Sequence, residues 1–143
     1  MDELTASSVV YIDTNIFIYF VEATPKFHSK ALTIFEHVAR LGATIKTSEI
    51  TIAECLYQPA QASNTKLISI YEALFENSGE IEMIALNGEL AKRAAMKGGL
   101  LGLKLVDAIH YISALEAGCN FFVTSDARFK SGPKLKVILV SAD

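Results

Sequence analysis

The chain has 143 residues, 51% of them apolar and 20% charged, with a net charge of −3. That balance excludes a disordered chain and fits a single domain, residues 1–143, long enough to bury a core of its own. The acidic balance also excludes a general nucleic-acid coat protein, whose unspecific binding needs a basic surface, and the longest apolar run, Ile16 to Val21, is far below the roughly 20 residues of a membrane span.

The opening MDELTASS lacks the basic and apolar regions of a secretory signal, which points to the cytoplasm and no membrane association. Val9 to Ile12 then reads as a strand buried on both faces, followed by a short helix from Ile16. Thr24-Pro25 reads as an N-cap followed by proline at the first helical position, with Gly42 as the stop. Phe27, Ala31, Ile34, Phe35 and Val38 line one face of that helix. A second strand is expected at about Ala43 to Thr47, then a helix from Ser48 or Thr51 that Pro59 interrupts, then another from Asn64 to about Asn77. A third strand lies near Ile81 to Leu86, and Asn87 caps a helix ending at Gly98-Gly99. A last long helix, Val106 to about Glu116, stops at Gly118 and leads into NFFVTS, with KVILV as the closing strand. No repeat or linker divides the chain. Cys55 and Cys119 are too few for a disulfide framework or a zinc site and read as small buried hydrophobes.

Strands alternating with helices predict a parallel sheet with both faces covered, and right-handed crossovers place every strand's C-terminal end on one edge. Ligands of such sheets bind there. Asp13 follows the first strand and Asp126 follows NFFVTS, so both belong to that edge. Glu54 lies in the opening turns of the helix after the second strand. Asp107 opens a helix that must run back down to the start of NFFVTS, so it too begins at the top. Each acid also has an ordinary local reading as a cap, a turn residue or a partner of a helix dipole. Together they would repel one another unless protonated or neutralised. No neighbouring His, Cys or Lys in the sequence supplies that neutralisation, whereas Mg²⁺ or Mn²⁺, which prefer carboxylate oxygen and water, would. The natural reaction of such a site is hydrolysis of a phosphodiester by activated water, leaving 5′-phosphate and 3′-hydroxyl ends. His110, beyond Asp107, reads as a packing or surface residue, and Glu49 falls on a different side of its helix from Glu54. Basic residues gather in the C-terminal half, either as an ordinary solvated surface or as a local nucleic-acid patch.

YIDTN at Tyr11 to Asn15, TSEITIAECLYQP at Thr47 to Pro59, LVDAIHYISALEAG at Leu105 to Gly118 and FFVTSDARF at Phe121 to Phe129 follow the order and spacing of the PIN-domain family. The chain resembles the VapC-type toxin ribonucleases of toxin–antitoxin pairs within it. The resemblance implies a Rossmann-like α/β/α sandwich and a metal-dependent endoribonuclease, with Asp13, Glu54, Asp107 and Asp126 in the acidic positions and Mg²⁺ or Mn²⁺ as cofactor. It places Asn15 and Ser125 as polar residues that support the acids, and it implies RNA as substrate, a small inhibitory antitoxin and, in many members, a homodimer. The lead of residues 1–8 and the acidic balance depart from the toxin pattern, which leaves open a PIN nuclease of RNA processing. A catalytically silent binding module is a further alternative. An aspartyl phosphotransferase also places an Asp after its first strand, but it needs a second carboxylate where Asn15 stands and a lysine that only Lys46 comes near to supplying. The run IFIYFV is apolar on every side. Its outer face is expected either to pack on the helix after Pro25 or to take an amphipathic antitoxin segment beside the acids.

Overall fold

In the computed structural model, which describes residues 3–142, the chain alternates strands and helices as the pattern predicts. Met1, Asp2 and Asp143, which belong to the N-terminal stretch and the domain span read above, lie outside the described residues. Five strands form one parallel sheet in the order β3-β2-β1-β4-β5: β1 (Val9–Ile12), β2 (Thr44–Ser48), β3 (Ile81–Ile84), β4 (Phe121–Thr124) and β5 (Lys136–Leu139). The first half of the chain winds outward from β1 in one direction and the second half in the other. The reversal leaves a crevice between the C-terminal ends of β1 and β4, the place where such sheets bind ligands.

The helices are α1 (Thr14–Val21), α2 (His28–Leu41), α3 (Glu49–Gln61), α4 (Thr65–Glu72), α5 (Gly88–Leu100) and α6 (Leu105–Glu116). The period-two alternation of β1 sorts its side chains between two cores. Val10 and Ile12 pack with Ile16, Phe17, Ala31, Ile34, Val38, Cys55 and Tyr71 on the face of α1 to α4. Tyr11 enters the opposite core with Ala114 and stacks on Phe122, ring centres 5.1 Å apart. Three layers result, α/β/α. Both cysteines are free and buried. Among the described residues no single helix is long and apolar enough to cross a membrane.

Three boundaries differ from the sequence reading. Thr24 does not cap α2: its carbonyl accepts from Phe27 N and His28 N in a turn, and Lys26 sits at a left-handed φ of 70°, so the helix starts only at His28. Pro59 does not interrupt α3, because it lies in the final turn, where its missing N–H removes one bond near the frayed end. Gly98-Gly99 does not end α5, which continues to Leu100 before turning at Gly102, φ 73°. Gly98 instead permits close packing of two helices, since a Cβ there would lie 2.2 Å from the Ala108 Cβ of α6. After α4, the helix expected to reach Asn77 finishes as a π-turn, Ala73–Asn77.

The apolar run in α1 is covered mainly from within. Ile16 and Phe17 are fully buried, each stabilising the core by about 1.5–3 kcal/mol, and Phe20 packs on Phe35 of α2 at 4.7 Å. Tyr19 stacks on Phe27 at 4.3 Å. A groove of about 460 Å³ remains between Phe20, Leu32, Phe35 and Leu74, with Ala43, Ile45 and Ile81 as its floor and Glu36 and Glu80 at its lip. Its floor lies at the starts of β2 and β3. The expectation of an apolar surface beside the acids is therefore corrected: the groove opens at the opposite edge of the sheet, on the order of 10 Å away along strands of 5 and 4 residues.

Candidate active site

The edge at the C-terminal ends of β1, β2 and β4 is built by chain ends that leave the sheet with polar residues. β1 runs directly into Asp13, the N-cap of α1, and Asp13 N donates to the Val123 carbonyl of β4 at 3.0 Å. Its Oδ1 accepts from Thr14 N and its Oδ2 from the Thr124 hydroxyl, each at 2.8 Å. Thr124 Oγ1 in turn accepts from Asp126 N at 3.1 Å, so one hydroxyl links the acid after β1 to the acid after β4. The carboxylate that caps α1 is thus the same one that stands at the rim.

Glu54, in the second turn of α3, reaches the same place. Its Oε1 accepts from Thr14 Oγ1 at 2.7 Å and from His110 Nε2 at 2.6 Å, and that nitrogen is 3.6 Å from Asp13 Oδ1. The other ring nitrogen lies 2.6 Å from Tyr11 Oη, which accepts from Ser48 N at 3.2 Å. With its oxygen taken by Ser48, the Tyr11 hydroxyl donates to Nδ1. The proton of the ring is thereby placed on Nε2, facing the carboxylates. Beneath them Thr51 donates to Thr47 at 2.7 Å and Thr47 to the Ile12 carbonyl at 2.8 Å, so the buried hydroxyls are spent on structure. Thr51 does not cap α3, whose N-cap is Ser48.

Asp107 and Asp126 form the second part of the rim, joined by Arg128. The guanidinium Nη2 is 2.5 Å from Asp126 Oδ2 and 3.4 Å from Asp107 Oδ2, and Nε donates to both Asp126 oxygens at 3.0 Å. The four acids therefore stand at one edge, as two pairs with an internal cation or donor each. The expectation that no His, Cys or Lys compensates them is corrected in part: His110 donates a hydrogen bond to Glu54, and an arginine, Arg128, neutralises the Asp107–Asp126 pair.

Burial sets the protonation of each acid against these partners. Removal from water is the largest influence on Asp13 and raises its pKa above the ordinary 3.8, against the pull of His110, Thr124 and Thr14. Glu54 also suffers from burial, but hydrogen bonds from His110 and Thr14 outweigh it and hold its pKa low. The hydrogen bond from Arg128 holds Asp126 below the usual carboxylate range. Within the cluster the Asp13 pKa is thus pushed up while those of Glu54 and Asp126 are pulled down.

The supporting residues named from the sequence are not the ones that support the acids. Asn15 is exposed and makes no hydrogen bond to an acid among the described residues, and Ser125 pairs with Tyr19 Oη at 3.1 Å. Their neighbours Thr14 and Thr124 hold Asp13 instead. His110, read as packing or surface, is 2% exposed and central. The signal was present, since residues three apart share a helix face and His110 stands three beyond Asp107. Glu49 keeps apart and accepts from Leu86 N at 2.9 Å. Lys46 donates to the Ala117 carbonyl at 3.3 Å, at the far end of α6, which leaves a phosphotransferase without its rim lysine.

A divalent cation fits this donor set in kind, since the rim offers hard carboxylate oxygens and no thiolate. Among the described residues no three His, Cys, Asp or Glu side chains stand ready as a metal site. Arg128 occupies the Asp107–Asp126 pair. Its side chain is 60% exposed, whereas His110 is 2% exposed in the core.

The family model of the PIN domain matches residues 10–135, a span that contains all four acids. The chain belongs to the PIN-domain family. No curated protein matches it. Among solved structures, this PIN domain is similar to a chain of the VapBC2 complex of Rickettsia felis bound to promoter DNA, with 21% identity, 92% of this chain and 98% of that chain covered, and a TM-score of 0.64. It is also similar to VapC20 of Mycobacterium tuberculosis, a toxin that cleaves the sarcin-ricin loop, with 14% identity, 79% and 86% covered, and a TM-score of 0.64. A toxin–antitoxin complex of Klebsiella pneumoniae gives 20% identity, 88% and 94% coverage, and a TM-score of 0.60. At these identities the likeness is one of fold.

Proposed function

We propose that this PIN domain is a metal-dependent endoribonuclease and the toxin of a toxin–antitoxin pair. The observation that carries the reading is the meeting of Asp13, Glu54, Asp107 and Asp126 at the switch-point edge of the sheet, with Thr124 Oγ1 linking the first acid to the last. The similarity to VapBC complexes supports the toxin assignment. Asp13, Asp107 and Asp126 would hold Mg²⁺ or Mn²⁺, which when bound neutralises the rim and activates water for attack on phosphorus. Thr14 and His110 fix the Glu54 carboxylate with one oxygen engaged, so the other is left to accept a proton or a water. Thr124 keeps Asp13 in one rotamer. Arg128, at the mouth, meets the anionic backbone of the RNA.

The antitoxin reading takes the groove by Phe20 and Phe35 as the seat of an amphipathic segment, whose basic side chains would face Glu36 and Glu80. A partner seated there must extend across the sheet before it reaches the acids. The test is cleavage of labelled RNA with Mg²⁺ or Mn²⁺ and with EDTA, with the product ends identified. Products with 5′-phosphates and no cleavage in EDTA or in Asp107→Asn support the reading; 2′,3′-cyclic ends or full activity in EDTA overturn it.

A further inference from the structure

Beside the Asp107–Asp126 pair lies a second cleft, of about 220 Å³, between the turn joining α5 to α6, the outer side of α6 and the loop after β4. Leu101 and Leu103 form one wall, Tyr111 and Phe129 the other, and Arg128 and Lys130 the rim. The Tyr111 and Phe129 rings are near parallel, with centres 6.0 Å apart and 16° between planes, and Phe129 rests on Phe122. Phe129 is 5% exposed and Leu101 59%, so the part-exposed Tyr111 ring, backed by Phe129, faces an exposed aliphatic lip. Tyr111 Oη donates to the Lys130 carbonyl, which ties the aromatic wall to the rim.

We infer that this cleft holds one unstacked nucleobase of single-stranded RNA next to the bond that is cut, with the adjoining phosphate on Arg128 and Lys130. Three features select this occupant. Aromatic rings with apolar side chains are the surface on which proteins stack splayed-out bases, whatever their sequence. The rim carries cations, Lys104 stands close enough to act on Asp126, and the nearby carboxylates are already engaged by Arg128. Arg128 belongs to cleft and acids at once: Nε and Nη2 hold the carboxylates, while among the described residues Nη1 has no hydrogen bond and is available to a phosphate oxygen. A base seated in the cleft would thus fix the neighbouring phosphodiester against the acids. The space suits one planar ring and not a helix. The inference rests on the nuclease reading for its substrate class, but it concerns binding and can be tested without turnover.

The experiment is fluorescence anisotropy in EDTA, with short fluorescein-labelled single-stranded RNAs in which one abasic nucleotide is walked along the chain. Stacking contributes about 1–3 kcal/mol per base, so one abasic position should weaken binding by roughly 5- to 150-fold while the others change it little. Leu101→Glu, at an exposed position, should bind intact RNA and the sensitive abasic RNA alike. Equal binding of every abasic RNA to the wild type, or no binding of the intact RNA, overturns the cleft, as does full retention of the position effect in Leu101→Glu. Cleavage of the same RNA with Mn²⁺ alongside such a result would leave the nuclease reading standing. Position-dependent binding without cleavage by any metal would retain the cleft and remove the nuclease reading.

Discussion

Replacing His110 by Leu removes the ring that joins Tyr11 to Glu54 and leaves a side chain of similar bulk in the core. The two ends of the broken chain differ in cost. Glu54 is 36% exposed at its side chain and can recover its lost bond from water, so it contributes little. Tyr11 is fully buried, and its hydroxyl still accepts from Ser48 N but loses its 2.6 Å acceptor. The group left beside it is the Thr47 hydroxyl, already committed to Thr51 and the Ile12 carbonyl, so the loss is about 1–3 kcal/mol. For a domain of this size that is a fall in Tm of about 3–9 °C. Tyr11→Phe should cost a similar amount, because it orphans His110 Nδ1 and Ser48 N. The double variant removes both partners of the 2.6 Å bond and should cost about 1 kcal/mol or more less than the sum. Urea denaturation followed by circular dichroism of the four proteins in EDTA measures each value. Additivity within about 0.5 kcal/mol would refute a coupled Tyr11–His110 pair.

The paired glycines of α5 give opposite expectations: Gly99→Ala meets open space and should stabilise by up to about 1 kcal/mol, whereas Gly98→Ala drives a methyl into Ala108 and should destabilise by about 1–3 kcal/mol. Thermal melts of both variants check the signs. For Asp13 the folded state holds the proton more tightly than the unfolded chain, so stability is lost as pH rises from 3.8 through the raised folded value and stays low at neutral pH. Asp13→Asn should therefore be the more stable apo-protein at pH 7 in EDTA, lose that advantage below pH 3.8, and lack cleavage activity; equal urea midpoints at pH 7 would contradict it. Phe20→Ser, on the groove wall, should weaken antitoxin binding at least tenfold by calorimetry while leaving cleavage unchanged, whereas the fully buried Phe17 is unsuited to that test.

The sequence made the sheet legible because its strands carry dense β-branched and aromatic residues, and turn chemistry separates them from the helices. The rim was legible for a topological reason: parallel strands must end on one edge, so acids placed just after strands meet whatever the side chains do. Details set by packing were not legible. Gly98-Gly99 looked like a stop because two glycines weaken a helix, yet Gly98 lies inside α5 to let Ala108 approach. The family resemblance named Asn15 as a support for Asp13, but one residue along a helix is a turn of about 100°, and it is Thr14 that faces Glu54. His110 looked like a packing or surface residue because it lies almost a full turn beyond Asp107, yet it faces Glu54 and Asp13 from a buried position, where low dielectric strengthens its hydrogen bonds to Tyr11 and Glu54.

Two carboxylates held by one arginine pose a competition that an isolated acidic pocket would not. Asp107 and Asp126 share Arg128, so a cation entering that pair must displace a guanidinium whose closest contact to Asp126 is 2.5 Å. Arg128→Gln removes the competitor and keeps a polar side chain, while Asp13 and Glu54 retain His110. The variant should bind Mn²⁺ severalfold more tightly, read by titration of the free-ion electron paramagnetic resonance signal. The same change deletes a phosphate contact at the mouth, so RNA affinity should fall. One substitution thus moves metal and RNA in opposite directions, which general damage to the rim would not do, since damage weakens both. Mn²⁺ affinity equal to or below the wild type would show that Arg128 does not occupy the cation's place.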